Sequence, residues 1–133
     1  MYKVDRPSLE SLARKVALNA YAPYSKFRVG AAIVTESGKS FTGANVESGS
    51  YGLTLCAERA AISAAISAGE SRFSAICVAC IDARHKTSLE EKVPCGACRQ
   101  WIQELAEDAE IIICGEQRTF KIKDLLPFAF KIS

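Results

Sequence analysis

Apolar residues change their period along the chain, and each change marks an element. Leu9, Leu12, Ala13, Val16, Ala17 and Ala20 recur at three- and four-residue steps, the single stripe of an amphipathic helix. Pro7-Ser8 opens that helix and Tyr21-Ala22-Pro23 ends it. Val29 to Thr35 is almost wholly apolar and predicts a strand covered on both faces. Ser37-Gly38-Lys39 is a turn, and Ser40 to Ala44 is the return arm of a hairpin. Glu47 to Gly52 reads as a loop. From Leu55 to Ala68 the pattern is helical and apolar on nearly every side, which predicts a buried helix stopped by Gly69.

Phe73 to Ile81 predicts another strand, and Asp82 to Val93 a polar loop. A helix follows from Cys95 to Ala106. Glu110 to Cys114 and Thr119 to Ile122 are short strands around Gly115-Glu116, and Lys123 to Leu126 is a short helix before Pro127. Two strand–helix–strand connections imply partly parallel pairing, hence a layered α/β domain with a mixed sheet. No repeat, low-complexity tract or linker divides residues 1–133, so they read as one domain.

Composition narrows the partners. The chain has 133 residues, 49% of them hydrophobic, enough for one substantial core. A net charge of +2 with no Lys/Arg block gives no electrostatic footing for a nucleic-acid polymer. No apolar run approaches the ~20 residues of a membrane span, and Met1 to Arg6 carry no signal-peptide core, so no membrane is expected and the expected location is the cytoplasm. Six cysteines in a domain of this size and compartment do not read as a disulfide framework. Cys77, Cys80 and Cys114 lie in apolar runs and read as small buried hydrophobes. Cys77 and Cys80, three apart on a strand, point to opposite faces and cannot chelate one metal.

The remaining cysteines carry the chemistry. Cys56-Ala57-Glu58 and Pro94-Cys95-Gly96-Ala97-Cys98 each stand at a predicted helix N-terminus, where unpaired N–H groups and the helix dipole favour thiolates. Three thiolates fit a zinc ion with its fourth position open, the mark of a catalytic site, and Glu58 is placed to handle protons there. Two other readings stay open: a redox Cys-x-x-Cys pair, and a structural zinc completed by Cys114 or His85. The solitary histidine, among Asp82, Arg84 and Lys86, otherwise reads as solvated. Three thiolates and Zn²⁺ sum to −1, which weakens a Lewis acid. Arg59, beside Glu58 in an apolar run, is the side chain expected to offset that charge at a ligand sulfur. Asn45 and Glu47, two apart on extended chain, project to the same side.

These motifs in this order, together with Tyr21-Ala-Pro-Tyr-Ser-Lys-Phe-Arg-Val-Gly-Ala-Ala and Leu125-Leu-Pro-Phe-Ala-Phe130, resemble the cytidine deaminase family, of the small homotetrameric kind. The resemblance implies a three-layer α/β domain with a five-stranded mixed sheet flanked by helices. It implies one zinc per subunit on Cys56, Cys95 and Cys98, and Glu58 as the proton shuttle for attack of water on C4 of cytidine or 2'-deoxycytidine. It implies that Asn45 and Glu47 hold the ribose, that Phe27 packs on the base, and that the Ala57 backbone meets the pyrimidine amide edge. Phe130, and Tyr51 with it, would reach the active site of a neighbouring subunit of a homotetramer. Deamination of a related aminopyrimidine nucleoside such as blasticidin S is the alternative activity. Ser48-Gly49 after the ribose-binding Glu47, and Phe128 before Ala129, depart from the family pattern.

Overall fold

A computed structural model describes residues 3–132. The first helix, α1 (Arg6–Ala17), is capped by the Asp5 carboxylate, which accepts the Ser8 N–H at 3.3 Å. It ends three residues before the sequence pattern does. Leu18, Asn19 and Ala20 donate to Lys15, Val16 and Ala17, so the last turn tightens to three-residue bonds and Ala20 leaves the stripe.

The strands β1 (Val29–Thr35), β2 (Ser40–Ala44), β3 (Phe73–Cys80), β4 (Glu110–Ile113) and β5 (Thr119–Phe120) form one sheet in the order β2-β1-β3-β4-β5. β1 is antiparallel to both β2 and β3, β3 is parallel to β4, and β4 is antiparallel to β5. The single parallel pair needs a crossover, supplied by α3 (Gly96–Leu105). A helix α2 (Ala57–Ser67) joins β2 to β3, and a short α4 (Ile122–Leu125) follows β5.

The continuous apolar run of β1 serves two cores. Ala31 and Ile33 join Ile76, Val78, Ile111 and Ile113 on the face covered by α2 and α3. Ala32 and Val34 join Ala75, Cys77 and Ile112 on the other face, beneath Leu9 and Ala13 of α1. The three-layer α/β arrangement with a five-stranded mixed sheet is the one the resemblance implies.

Two glycines set how closely the helices approach the sheet. A Cβ on Gly30 would stand 2.0 Å from the Ala13 carbonyl, and one on Gly43 would stand 2.4 Å from the Ala61 nitrogen. Both obstacles are backbone. Gly30→Ala is therefore expected to push α1 off the sheet and lower stability by about 3 kcal/mol, read as a drop in urea midpoint at unchanged slope. A midpoint within error of the parent would show that α1 accommodates the methyl group.

Helix α2 is covered by its own chain on one side only. Its buried residues are Ala57, Glu58, Ala61, Ile62 and Ala65, a single face, whereas Ser63, Ala64 and Ser67 are exposed and Ile66 is 40% exposed. One sheet covers only one side of a helix, so within the chain the rest of its apolar surface stays bare. Cys77 and Cys114, read as small buried hydrophobes, belong to the core on the α1 face. Strand pairing brings their sulfurs to 3.5 Å as free thiols on the α1 face. Among the described residues no helix is long and apolar enough to cross a membrane.

Candidate active site

Two helix N-termini meet beside the carboxyl end of β3. Cys56 is the N-cap of α2, Cys95 is the N-cap of α3, and Cys98 lies in the first turn of α3. The i, i+3 spacing brings two sulfurs to one side of that turn. The Cys56–Cys95 and Cys95–Cys98 sulfur separations are both 3.6 Å, and all three sulfurs lie within 4.8 Å of one another. The edge of a tetrahedron with zinc–sulfur bonds of about 2.3 Å is about 3.8 Å. The trio therefore fits one zinc ion in both spacing and donor type. Cys114 stands with Cys77 across the sheet and His85 is exposed, so neither belongs to the group.

The surroundings of the trio favour a thiolate at Cys56, while the Cys56 contact, together with burial, pushes the Cys98 thiol up. The Cys98 thiol hydrogen-bonded to Cys56, with Arg59 and Cys95 beside it, pulls the Cys56 thiol down to about 5 against its burial. One Arg59 Nη lies 3.5 Å from the Cys56 sulfur and 3.4 Å from the Thr54 carbonyl. Its Nε is buried without a partner. Glu58, one residue before Arg59, is 4% exposed. Burial is the main cause that pushes its carboxyl up to about 7, and the Cys56 charge adds to it against the Glu58 N–H and Arg59. A carboxyl held above its usual range suits a group that gives a proton as well as takes one.

A cavity of about 270 Å³ brings Cys56, Ala57, Glu58 and Cys95 together with Phe27, Asn45 and Glu47. Val46 faces outward at 50% exposure, so alternation along the extended Asn45-Val46-Glu47 puts both polar side chains on the cavity side. Both also hold the chain before β1. Asn45 Oδ1 accepts from Val29 N–H at 2.9 Å, and its Nδ2 donates to the Phe27 carbonyl at 3.0 Å. Glu47 accepts from the N–H groups of Tyr24 and Ser25 at 3.0 and 3.1 Å, and from the Ser25 hydroxyl. That hydroxyl is the main cause holding the Glu47 carboxyl below its usual range. The departure at Ser48-Gly49 leaves the loop tied: Ser48 N–H donates to the Thr54 hydroxyl at 3.0 Å and its own hydroxyl accepts from Ser50 N–H at 3.1 Å.

Two expected residues stand apart from this cavity. Tyr51 is 78% exposed and meets Tyr24 edge to face at 6.4 Å. Phe130 is 68% exposed, with its carbonyl accepting from Gln100 at 3.2 Å. Other side chains reach the site without a signal in the sequence. Cys80 lines the cavity, its thiol pushed up to about 12 mainly by burial. Arg99 donates at 2.7 Å to the Pro94 carbonyl and at 2.7 Å to that of Leu125, tying the ligand turn to α4. Sequence position alone does not foretell a side chain that reaches across to another element.

Residues 5–115 match the family model described as the cytidine and deoxycytidylate deaminase zinc-binding region. The chain is 45% identical over 130 residues to a cytidine deaminase of Mycobacterium tuberculosis, covering 98% of this chain and 92% of that protein. The solved cytidine deaminase of Burkholderia pseudomallei superposes with a TM-score of 0.84 at 43% identity, over 96% of this chain and all of its own. A blasticidin-S deaminase of Bacillus cereus is more distant, 32% identical over 114 residues, or 80% of this chain and 79% of that protein.

Proposed function

The chain belongs to the cytidine deaminase family, and we propose that it hydrolyses free cytidine and 2'-deoxycytidine to uridine and 2'-deoxyuridine with release of ammonia, in pyrimidine salvage in the cytoplasm. The observation that carries this reading is one cavity in which a buried carboxyl and two of the three converging thiols, Cys56 and Cys95, stand with two polar side chains beside an aromatic ring. One zinc ion per subunit is the cofactor, with Cys56, Cys95 and Cys98 as its ligands. When bound, zinc supplies Lewis acidity, which makes water a competent nucleophile at neutral pH.

The chain's own residues move the protons. The water oxygen bonds to C4, and its two protons leave in turn: Glu58 delivers one to ring N3 and the other to the departing amino group. The C4–N bond then breaks and ammonia leaves. Arg59 offsets the negative charge of the thiolate set, and the converging helix N-termini add to it. Phe27 packs on the base and the Ala57 backbone meets its amide edge.

Asn45 and Glu47 hold the ribose. Three of the roughly four acceptor positions of the Glu47 carboxylate are used within the chain, and one of the two Asn45 amide hydrogens. That leaves an acceptor and a donor, already fixed in direction, for the sugar hydroxyls. The assembly is a homotetramer in which Phe130, and Tyr51 with it, reaches a neighbouring subunit's site. The bare outer face of α2 and the exposed Phe128, Phe130 and Ile132 are apolar surface suited to that contact.

A substrate panel tests the reading by loss of ultraviolet absorbance. Both nucleosides are expected to turn over. Cytosine, which lacks the sugar, is expected to fall behind by on the order of a hundredfold or more. Consumption of blasticidin S without turnover of cytidine would replace this reading with the alternative.

A further inference from the structure

We propose that Arg28 and Asp82 form a positioning pair for the nucleoside pocket, holding the backbone of Phe27 from outside the site. The inference rests on the proposed function, since it assigns the pair a role in binding nucleoside.

The segment from Tyr24 to Arg28 leads into β1 and, with Val29 at the start of that strand, is tied largely through side chains. Glu47 takes the N–H groups of Tyr24 and Ser25, the Ser25 hydroxyl takes that of Phe27 at 3.0 Å, and Asn45 takes that of Val29. Lys26, between them, has a φ of 60°, a left-handed conformation that a lysine keeps only when its surroundings enforce it. The N–H of Arg28 goes to the Asp82 carboxylate at 2.8 Å. The peptide joining Phe27 to Arg28 is therefore held at both ends, its carbonyl by Asn45 and its N–H by Asp82, while the Ser25 hydroxyl holds the N–H on the other side of Phe27.

Glu47 and Asn45 line the cavity, whereas Asp82 lies on the loop after β3 and does not. Asp82 acts on the pocket only through the peptide that carries Phe27. The Arg28 side chain aims the carboxylate for that task. Its Nε reaches Oδ2 at 2.9 Å and one Nη reaches Oδ1 at 2.8 Å, a two-pronged contact that leaves the carboxylate one orientation. Oδ2 is then shared by the guanidinium and the Arg28 N–H. The same residues also close the β1–β3 ladder, where Ile81 N–H donates to the Arg28 carbonyl at 3.2 Å. A purely structural pin between two strands is thus the competing account, and it predicts a different kinetic outcome.

If the pair keeps the Phe27 wall in place, loosening it lowers the fraction of molecules ready to bind. Apparent affinity falls by that fraction, while a bound nucleoside reacts as before. The effect belongs in KM and leaves kcat alone. Asp82→Ala is expected to raise KM for cytidine about tenfold with kcat within about twofold, zinc content unchanged, and faster amide exchange at Phe27 and Arg28. Asp82→Asn keeps an acceptor for the Arg28 N–H, and Arg28→Lys keeps the charge without the fork. Each is expected to raise KM by only about threefold. The Arg28 side chain is 41% exposed, so the lysine variant tests the pair without threatening the core. An unchanged KM in Asp82→Ala, with or without a lowered melting temperature, overturns the inference in favour of the structural pin. So does a fall in kcat at constant KM. Failure of the unsubstituted enzyme to turn over cytidine is a separate pattern, which removes the proposed function and this inference with it.

Discussion

Glu58→Gln is expected to eliminate deamination while leaving a folded, zinc-loaded protein. General acid–base assistance contributes about 10²–10⁴-fold in a typical enzyme. In the proposed reaction one carboxyl serves two transfers, to N3 and to the leaving amine, so the loss in kcat is expected at or beyond the upper end of that range. The amide has the shape of the carboxyl and no charge, so the buried position, 4% exposed at the start of α2, holds it without penalty. Glutamine cannot exchange protons at neutral pH, which isolates chemistry from packing. The measurement is kcat by absorbance loss, with metal analysis and circular dichroism on the same preparation. Activity within about tenfold of the parent, at full zinc, would mean that another group carries the protons and that Glu58 is only a wall of the cavity.

Removing one ligand is expected to be as damaging by a different route. Cys95→Ser takes a thiolate from the middle of the trio, the one 3.6 Å from each of the others, and leaves two sulfurs that no longer close a site. Zinc content is expected to fall well below one per subunit and activity by at least about 10³-fold. Stability falls as well, because the metal joins the starts of α2 and α3, which are 39 residues apart in sequence. Metal present at a thousandfold excess over its dissociation constant adds about 4 kcal/mol to the folded state, and the variant forfeits that contribution. Dialysis of the parent against a chelator is expected to reproduce the loss of activity, and added zinc to reverse it. A zinc-free protein that still turns over cytidine at the parental rate would refute the metal's part in the reaction.

The two variants differ in what the sequence made visible. Glu58, Cys56 and the Cys95/Cys98 pair were legible because their relations are local. Positions three apart in a helical turn share a side wherever the helix sits. The β1 strand was legible for the same reason, since seven residues with no polar face describe burial on both sides. The early end of α1, with its last turn tightened at Leu18 to Ala20, lay below the resolution of an apolar stripe. How much of α2 its own chain covers was not legible, because an all-apolar helix does not say how many neighbours a single chain can offer it.

The amino-acid sequence by itself determined the order of elements, the donor set for zinc, the carboxyl beside it, and the family. All of these depend on residue type and on spacing within a turn or a strand. Tertiary structure alone decided which distant positions meet. The parallel pairing of β3 with β4 lays α3 beside α2, so Cys95 comes within 3.6 Å of Cys56. The same pairing sets Cys77 against Cys114 on the opposite face. The ends of β1 and β3 likewise bring Asp82 to Arg28, and the turn after β2 brings Asn45 and Glu47 to the backbone around Phe27. Such contacts follow from strand order and register, and these are settled by how the whole chain buries its apolar faces together rather than by any local segment.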